Sequence, residues 1–91
     1  MRIDKFLKNS RLIKRRTLAQ EACERQRVKI NGKTAKPGTQ VKEGDIIEIR
    51  FGESTTQIEV VMTAEHVTRK EAGEMYVILE NKEQKAENEQ Q

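Results

Sequence analysis

The chain has 91 residues, of which 36% are charged and 34% hydrophobic, and a net charge of +3. That length supports one domain, whose core buries roughly 60–65% of the surface the unfolded chain exposes. It leaves little room for a deep, enclosed catalytic cavity.

Charge is divided unevenly along the chain. Residues 1–50 carry 14 Lys/Arg against 6 Asp/Glu, a net of +8, while residues 51–91 carry 4 against 9, a net of −5. Such a split predicts a polyanion-binding side and a solubilising side. Cys23 is the one cysteine, which excludes an intrachain disulfide and suggests no metal cluster. The N-terminus is already charged within its first residues, unlike a signal peptide. No apolar run approaches the length of a membrane span. The expectation is a monomer in the reducing cytoplasm, with no membrane partner, metal or cofactor.

Ile3, Phe6 and Leu7 recur at i, i+3, i+4 and predict one stripe of a short helix. Asn9-Ser10 breaks the pattern. Leu12-Ile13 leads into Lys14-Arg15-Arg16, and Thr17 reads as a helix N-cap. Gln20 stands three residues on, where it completes a capping box. Leu18, Ala19, Ala22 and Cys23 form a narrow apolar face, which predicts a second helix over residues 17–26.

From Val28 the period changes to two. Val28 and Ile30 lead into Asn31-Gly32, a hairpin signal, with a return strand over 33–36. Pro37-Gly38 and Glu43-Gly44-Asp45 mark further turns. Ile47, Ile49 and Phe51 alternate with Glu48 and Arg50, a half-buried strand that Ile46 begins. Gly52 to Ser54 turns the chain, and Ile58, Val60 and Met62 predict the next strand. A short helix over 69–74, weakened by Gly73, precedes a closing strand over 75–79. The fold class is therefore α+β, two short helices and then a small curled antiparallel sheet, with a short C-terminal helix and strand. Residues 1–80 read as the domain with its C-terminal extension, and 81–91 as a disordered polar tail.

The first 16 residues hold Arg2, Lys5, Lys8, Arg11, Lys14, Arg15 and Arg16 against a single acid, Asp4. A planar guanidinium suits bidentate phosphate contact. Three cations before a helix start are poor helix electrostatics unless an anion sits among them. Lys8, Lys33, Lys36 and Lys42 read individually as ordinary solubilising charge. The Arg2/Arg11/Arg15/Arg16 group points to RNA, because solvation alone does not clear acids from one segment. Arg25, Arg27 and Lys29 extend the basic track, with ordinary strand-edge charge an equal reading. Only 3% of residues are aromatic, so recognition through RNA shape and backbone is expected over base stacking.

Three blocks in order carry a resemblance: Arg2-Ile3-Asp4-Lys5-Phe6-Leu7 with Ser10-Arg11-Leu12-Ile13-Lys14-Arg15-Arg16-Thr17-Leu18-Ala19; Val28-Lys29-Ile30-Asn31-Gly32-Lys33; and Glu43-Gly44-Asp45-Ile46-Ile47. Over about residues 1–51 the chain resembles the alpha-L RNA-binding domain, the module named for ribosomal protein S-four. The resemblance implies an RNA-binding face made by both helices and the adjoining hairpin. It implicates Arg2, Lys5, Arg11, Lys14, Arg15, Arg16 and Thr17. Asp4 matches the family's usual acid, expected to orient nearby arginines or to touch a protein partner, with a plain helix N-terminal charge the equal alternative.

The continuation through Phe51-Gly52 and Met75-Tyr76 to a polar end is similar to the RqcP family, Gram-positive relatives of the small heat-shock protein of about fifteen kilodaltons. That resemblance implies binding to the large ribosomal subunit, through rRNA and peptidyl-tRNA. It also implies support of ribosome-associated quality control and C-terminal alanine tailing beside an RqcH-like factor. An assembly factor or general RNA chaperone would use the same face. An enzyme is disfavoured: His66 reads as a lone surface residue, Cys23 as a buried structural thiol, and no glycine-rich phosphate loop is present. A protein-interaction module built on the acidic half is the remaining competitor.

Overall fold

The computed structural model describes residues 1–83. Helix α1 spans Ile3–Asn9 and seals the expected stripe of Ile3, Phe6 and Leu7 completely from solvent. The chain leaves α1 through Arg11, which adopts the left-handed conformation at φ +64° and donates its N–H to the Lys8 carbonyl at 3.0 Å. Ile13 N–H reaches back to the Leu7 carbonyl at 3.1 Å, so the Leu12-Ile13 step folds over the helix end.

Helix α2 spans Arg16–Glu24 and departs from the expectation at both ends. Its N-cap is Arg15, in extended conformation at φ −128°, with no side-chain capping bond. Thr17 lies inside the first turn, so it does not cap, and Gln20 is drawn away to another partner described below. At the other end Gln26 turns left-handed at φ +62°. The N–H groups of Gln26 and Arg27 then close on the carbonyls of Cys23 and Ala22, both at 2.9 Å. This Schellman arrangement satisfies the last carbonyls and stops the helix at Glu24.

Strands β1 (Val28–Ile30) and β2 (Lys33–Thr34) are joined by Asn31 and Gly32, at φ +50° and +86°. Two positive φ values make the primed turn that matches strand twist. The return strand is shorter than expected, because Lys36 N–H bonds to Thr39 Oγ1 in the following turn. Strands β3 (Ile46–Phe51) and β4 (Ser54–Val60) form a hairpin through Gly52 and Glu53. Helix α3 (Arg69–Ala72) is one turn, started by a Thr68–Glu71 capping box and stopped at Gly73. Strand β5 (Tyr76–Glu83) completes an antiparallel sheet of order β2-β1-β3-β4-β5.

Two expectations are corrected in this half. Strand β4 ends at Val60, and Met62 packs on the core from the loop beyond it. Residues 81–83, expected to open a disordered tail, instead close β5 opposite Thr56, Thr55 and Ser54. Thr56 Oγ1 lies 3.2 Å from Asn81 Oδ1, a hydroxyl-to-amide bond that polar residues supply without apolar alternation. The rest of that expected tail, 84–91, lies outside the described residues.

The helices and the sheet share one core. Ile3, Phe6, Leu7, Ala19 and Cys23 come from the helices; Val28, Ile47, Ile49, Ile58 and Val60 come from alternate positions of three strands. Phe6 is the bulkiest fully buried side chain. Replacing it by alanine is expected to destabilise the fold by about 3–5 kcal/mol, read as a lower midpoint in urea unfolding.

Candidate nucleic-acid interface

The basic segment is organised around one buried acid. Asp4 has no solvent exposure, although it lies in the first turn of α1. Arg2 grips it with two parallel bonds, Nε to Oδ1 at 3.2 Å and Nη2 to Oδ2 at 3.1 Å. Lys5 N–H donates to Oδ1 at 2.7 Å, and Gln20 Nε2 donates to Oδ2 at 3.0 Å. Arg16 Nε stands 3.4 Å from the same Oδ2. One carboxylate thus ties the start of α1 to the first turns of α2.

Burial pushes the Asp4 carboxyl up, but the hydrogen bonds from Gln20, Arg2 and Arg16 and the Arg16 charge outweigh it and hold the group below its ordinary 3.8. Asp4 is therefore an anion at neutral pH. The arginines are not consumed by this contact. The side chains of Arg2 and Arg16 remain 48% and 42% exposed while their guanidiniums stand beside Asp4. Asp4 bonds Arg2 and stands beside Arg16 in this arrangement.

The other cations fall into connected hollows. Lys8, Arg11 and Lys14 line one cleft with Asn9, His66 and Glu65. Lys14 also lines a second, largely apolar groove with Arg25, Arg27 and Arg50. Arg27 and Arg50 continue into a third hollow with Lys29 and Glu48. Lys29 sits directly opposite Glu48 across the β1–β3 ladder, the placement of an ordinary cross-strand charge pair. Arg15 and Thr17 are exposed at the start of α2. Lys5 behaves differently from its neighbours, because its ammonium is engaged by Glu65, and that bond lowers the Glu65 carboxyl. Asn9 secures the same loop, donating from Nδ2 to the carbonyls of Ala64 and Glu65, each at 3.0 Å.

Several residues escape a reading of the sequence or are undervalued by it. Lys8 reads as plain surface charge, yet shares the cleft with Arg11 and Lys14. Arg50 reads as the outward half of a strand alternation, and Gln20 as part of a capping box. His66, expected at the surface, is exposed and stands at the rim of the first cleft. No signal in one dimension brings residues 50 and 66 beside residue 14. Cys23 is buried as expected; desolvation, with the charges of Asp4 and Glu24, pushes its thiol up to about 11. It is a neutral thiol at physiological pH rather than a nucleophile. Among the described residues no group of three or more His, Cys, Asp or Glu is placed to hold a metal. No helix among them is long and apolar enough to cross a membrane.

Two outcomes follow from this geometry. A carboxyl with a depressed folded pKa stabilises the fold above its unfolded value, and that stabilisation is lost as pH falls through the folded value. Asp4→Asn is expected to lower stability by about 1–3 kcal/mol at pH 7, with the gap to the parent protein closing well below pH 3.8. Urea titrations at both pH values measure it. Native Cys23 is expected to resist thiol reagents at pH 7 and to react fully in denaturant, which a colorimetric thiol assay reads.

The S4 domain family matches residues 1–47. The chain is 54% identical over 78 residues to the RQC P-site tRNA stabilizing factor of Halalkalibacterium halodurans, covering 86% of this chain and 89% of that one. It is 52% identical over 79 residues to the protein of the same name from Listeria innocua, covering 87% and 86%. Heat Shock Protein 15 of Vibrio cholerae, solved as a trimer, superposes with a TM-score of 0.79 at 32% identity, over 86% of this chain and 80% of that one. With this sequence likeness and an α+β fold shared with a solved relative, the chain belongs to the S4-domain family, in the branch of the RQC P-site tRNA stabilizing factors.

Proposed function

We propose that this protein is a non-catalytic RNA-binding factor of the cytoplasm. It acts as a monomer on the large ribosomal subunit and contacts both ribosomal RNA and peptidyl-tRNA. In this reading it supports ribosome-associated quality control beside an RqcH-like factor, including C-terminal alanine tailing of stalled nascent chains. The name carried by its relatives, a P-site tRNA stabilizing factor, supports the tRNA part.

The observation that carries the reading is the Asp4 node. A buried carboxylate holds Arg2 and Arg16 as half-exposed forks at the joint of two helices. A guanidinium held in place loses less side-chain freedom on meeting a phosphate. Arg15 and Arg16 flank the start of α2, whose first turn holds no acid and whose backbone N–H groups also favour an anion. Lys14 and Arg11 extend the positive surface along the adjoining cleft. RNA helices expose phosphates and 2′-hydroxyls over a broad groove, so such a face reads shape more than sequence. The mechanism is a clamp: cations on one rigid corner bridge two RNA strands and hold the tRNA in position, and no bond is made or broken.

Arg15→Ala/Arg16→Ala tests it directly. Binding to purified large subunits carrying peptidyl-tRNA is expected to weaken. The slope of log K against log salt is expected to be shallower by about 0.7–0.9 for each phosphate that the variant leaves unneutralised. Circular dichroism checks that the fold is kept. Unchanged affinity and slope in a folded double variant would overturn the reading. In cells, the same variant is expected to reduce alanine tails on a stalling reporter.

A further inference from the structure

Two large side chains on predicted apolar faces lie outside the core. Leu18, on the expected apolar face of α2, is 47% exposed, and Phe51, at the end of the β3 alternation, is 42% exposed. They face a common groove of about 390 Å³, together with Leu12. The groove has rigid walls. Leu18 and Ala22 lie one turn apart on α2, and Arg25 caps its C-terminal end. Phe51 is fixed by its ladder position opposite Ser54, next to a tight turn.

The rim of this groove is cationic. Lys14, Arg25, Arg27 and Arg50 line it, against one acid, Glu21. Arg50 is anchored beside Phe51, because its Nε donates to the Gly52 carbonyl at 3.3 Å. Lys14 lines also the cleft of Lys8 and Arg11, so the two hollows adjoin at a cation.

We infer that this groove binds one unstacked nucleobase of the RNA, with the base on Phe51 and Leu18 and its flanking phosphates on the arginine rim. The inference rests on the RNA-binding reading above and adds to it. Apolar lining with a positive rim matches a nucleotide, whose base is a π-face and whose backbone is anionic. Bases inside a duplex are not available, so the ligand is a bulged, looped or terminal nucleotide beside a helix. A helical peptide would bring an apolar stripe of its own, whereas four cations on the rim favour an anionic ligand. The protein then recognises a helix flanked by an unpaired base, which shape and charge alone do not distinguish.

The test compares two RNA hairpins of equal length and charge, one with a single unpaired adenosine beside the stem and one fully paired. Fluorescence anisotropy with the full chain at fixed salt measures both. The parent protein is expected to prefer the bulged hairpin by roughly 5- to 100-fold. Phe51→Ala and, separately, Leu18→Ser are expected to abolish the preference while leaving affinity for the paired hairpin and its salt slope unchanged. Both side chains are substantially exposed, and an unchanged urea midpoint confirms the fold. Equal binding of both hairpins by the parent, or a preference that survives both variants, overturns this inference and leaves RNA binding intact. Loss of a protein partner from the two variants with unchanged RNA preference assigns the groove to a peptide and also overturns it. Failure to bind either hairpin removes the RNA-binding reading itself.

Discussion

A carboxylate at zero exposure, surrounded by two guanidiniums, an amide and a backbone N–H, is the constraint on which this molecule depends. Burying a charge is unfavourable unless it is fully paired, and Asp4 draws its partners from both α1 and α2. The register of two short helices, each too brief to be stable in isolation, is thereby set by a polar contact as well as by the core. The same contact leaves the arginine side chains partly exposed. Stability and the presentation of positive charge are therefore two results of one arrangement.

The apolar core and the backbone turns place the rest around this node. Left-handed residues at Arg11 and Gln26 end the two helices abruptly and return the chain beneath them. That geometry keeps Lys8, Arg11 and Lys14 on one cleft and brings Arg25 and Arg27 beside Arg50 of β3. The acidic half of the sequence builds β4, α3 and β5 on the other side of β3. Glu65 crosses the division, engaging Lys5 and taking that cation partly out of the positive surface. The fold thus separates charge in space by separating it along a sheet.

Legibility in the sequence follows the type of force involved. The Ile3/Phe6/Leu7 stripe and the Ile47/Ile49 alternation are periodic burial, and both elements lie where the pattern puts them. Asn31-Gly32 is local turn chemistry and is equally readable. The start of α2 misleads, because Thr17 and Gln20 have the composition of a capping box, while Asp4 competes for Gln20 from sixteen residues away. The true capping box, Thr68 with Glu71, starts a helix too short to show a period. Residues 81–83 join β5 through pairing with a polar stretch of β4, which carries no apolar signature. The exposure of Leu18 and Phe51 is illegible for the same reason that the groove is: distant segments make it, and their apolar residues look like core.

In the proposed function, guanidinium forks beside Asp4, rather than positive charge alone, hold the RNA. Arg2→Lys/Arg16→Lys keeps both charges and removes both forks, so its affinity for large subunits carrying peptidyl-tRNA, measured across a salt series, is the most direct test. A loss of about tenfold or more is expected, the size of one charge-assisted hydrogen bond, with the salt slope unchanged. Full affinity in that variant would show that unspecific charge is sufficient and would contradict the account.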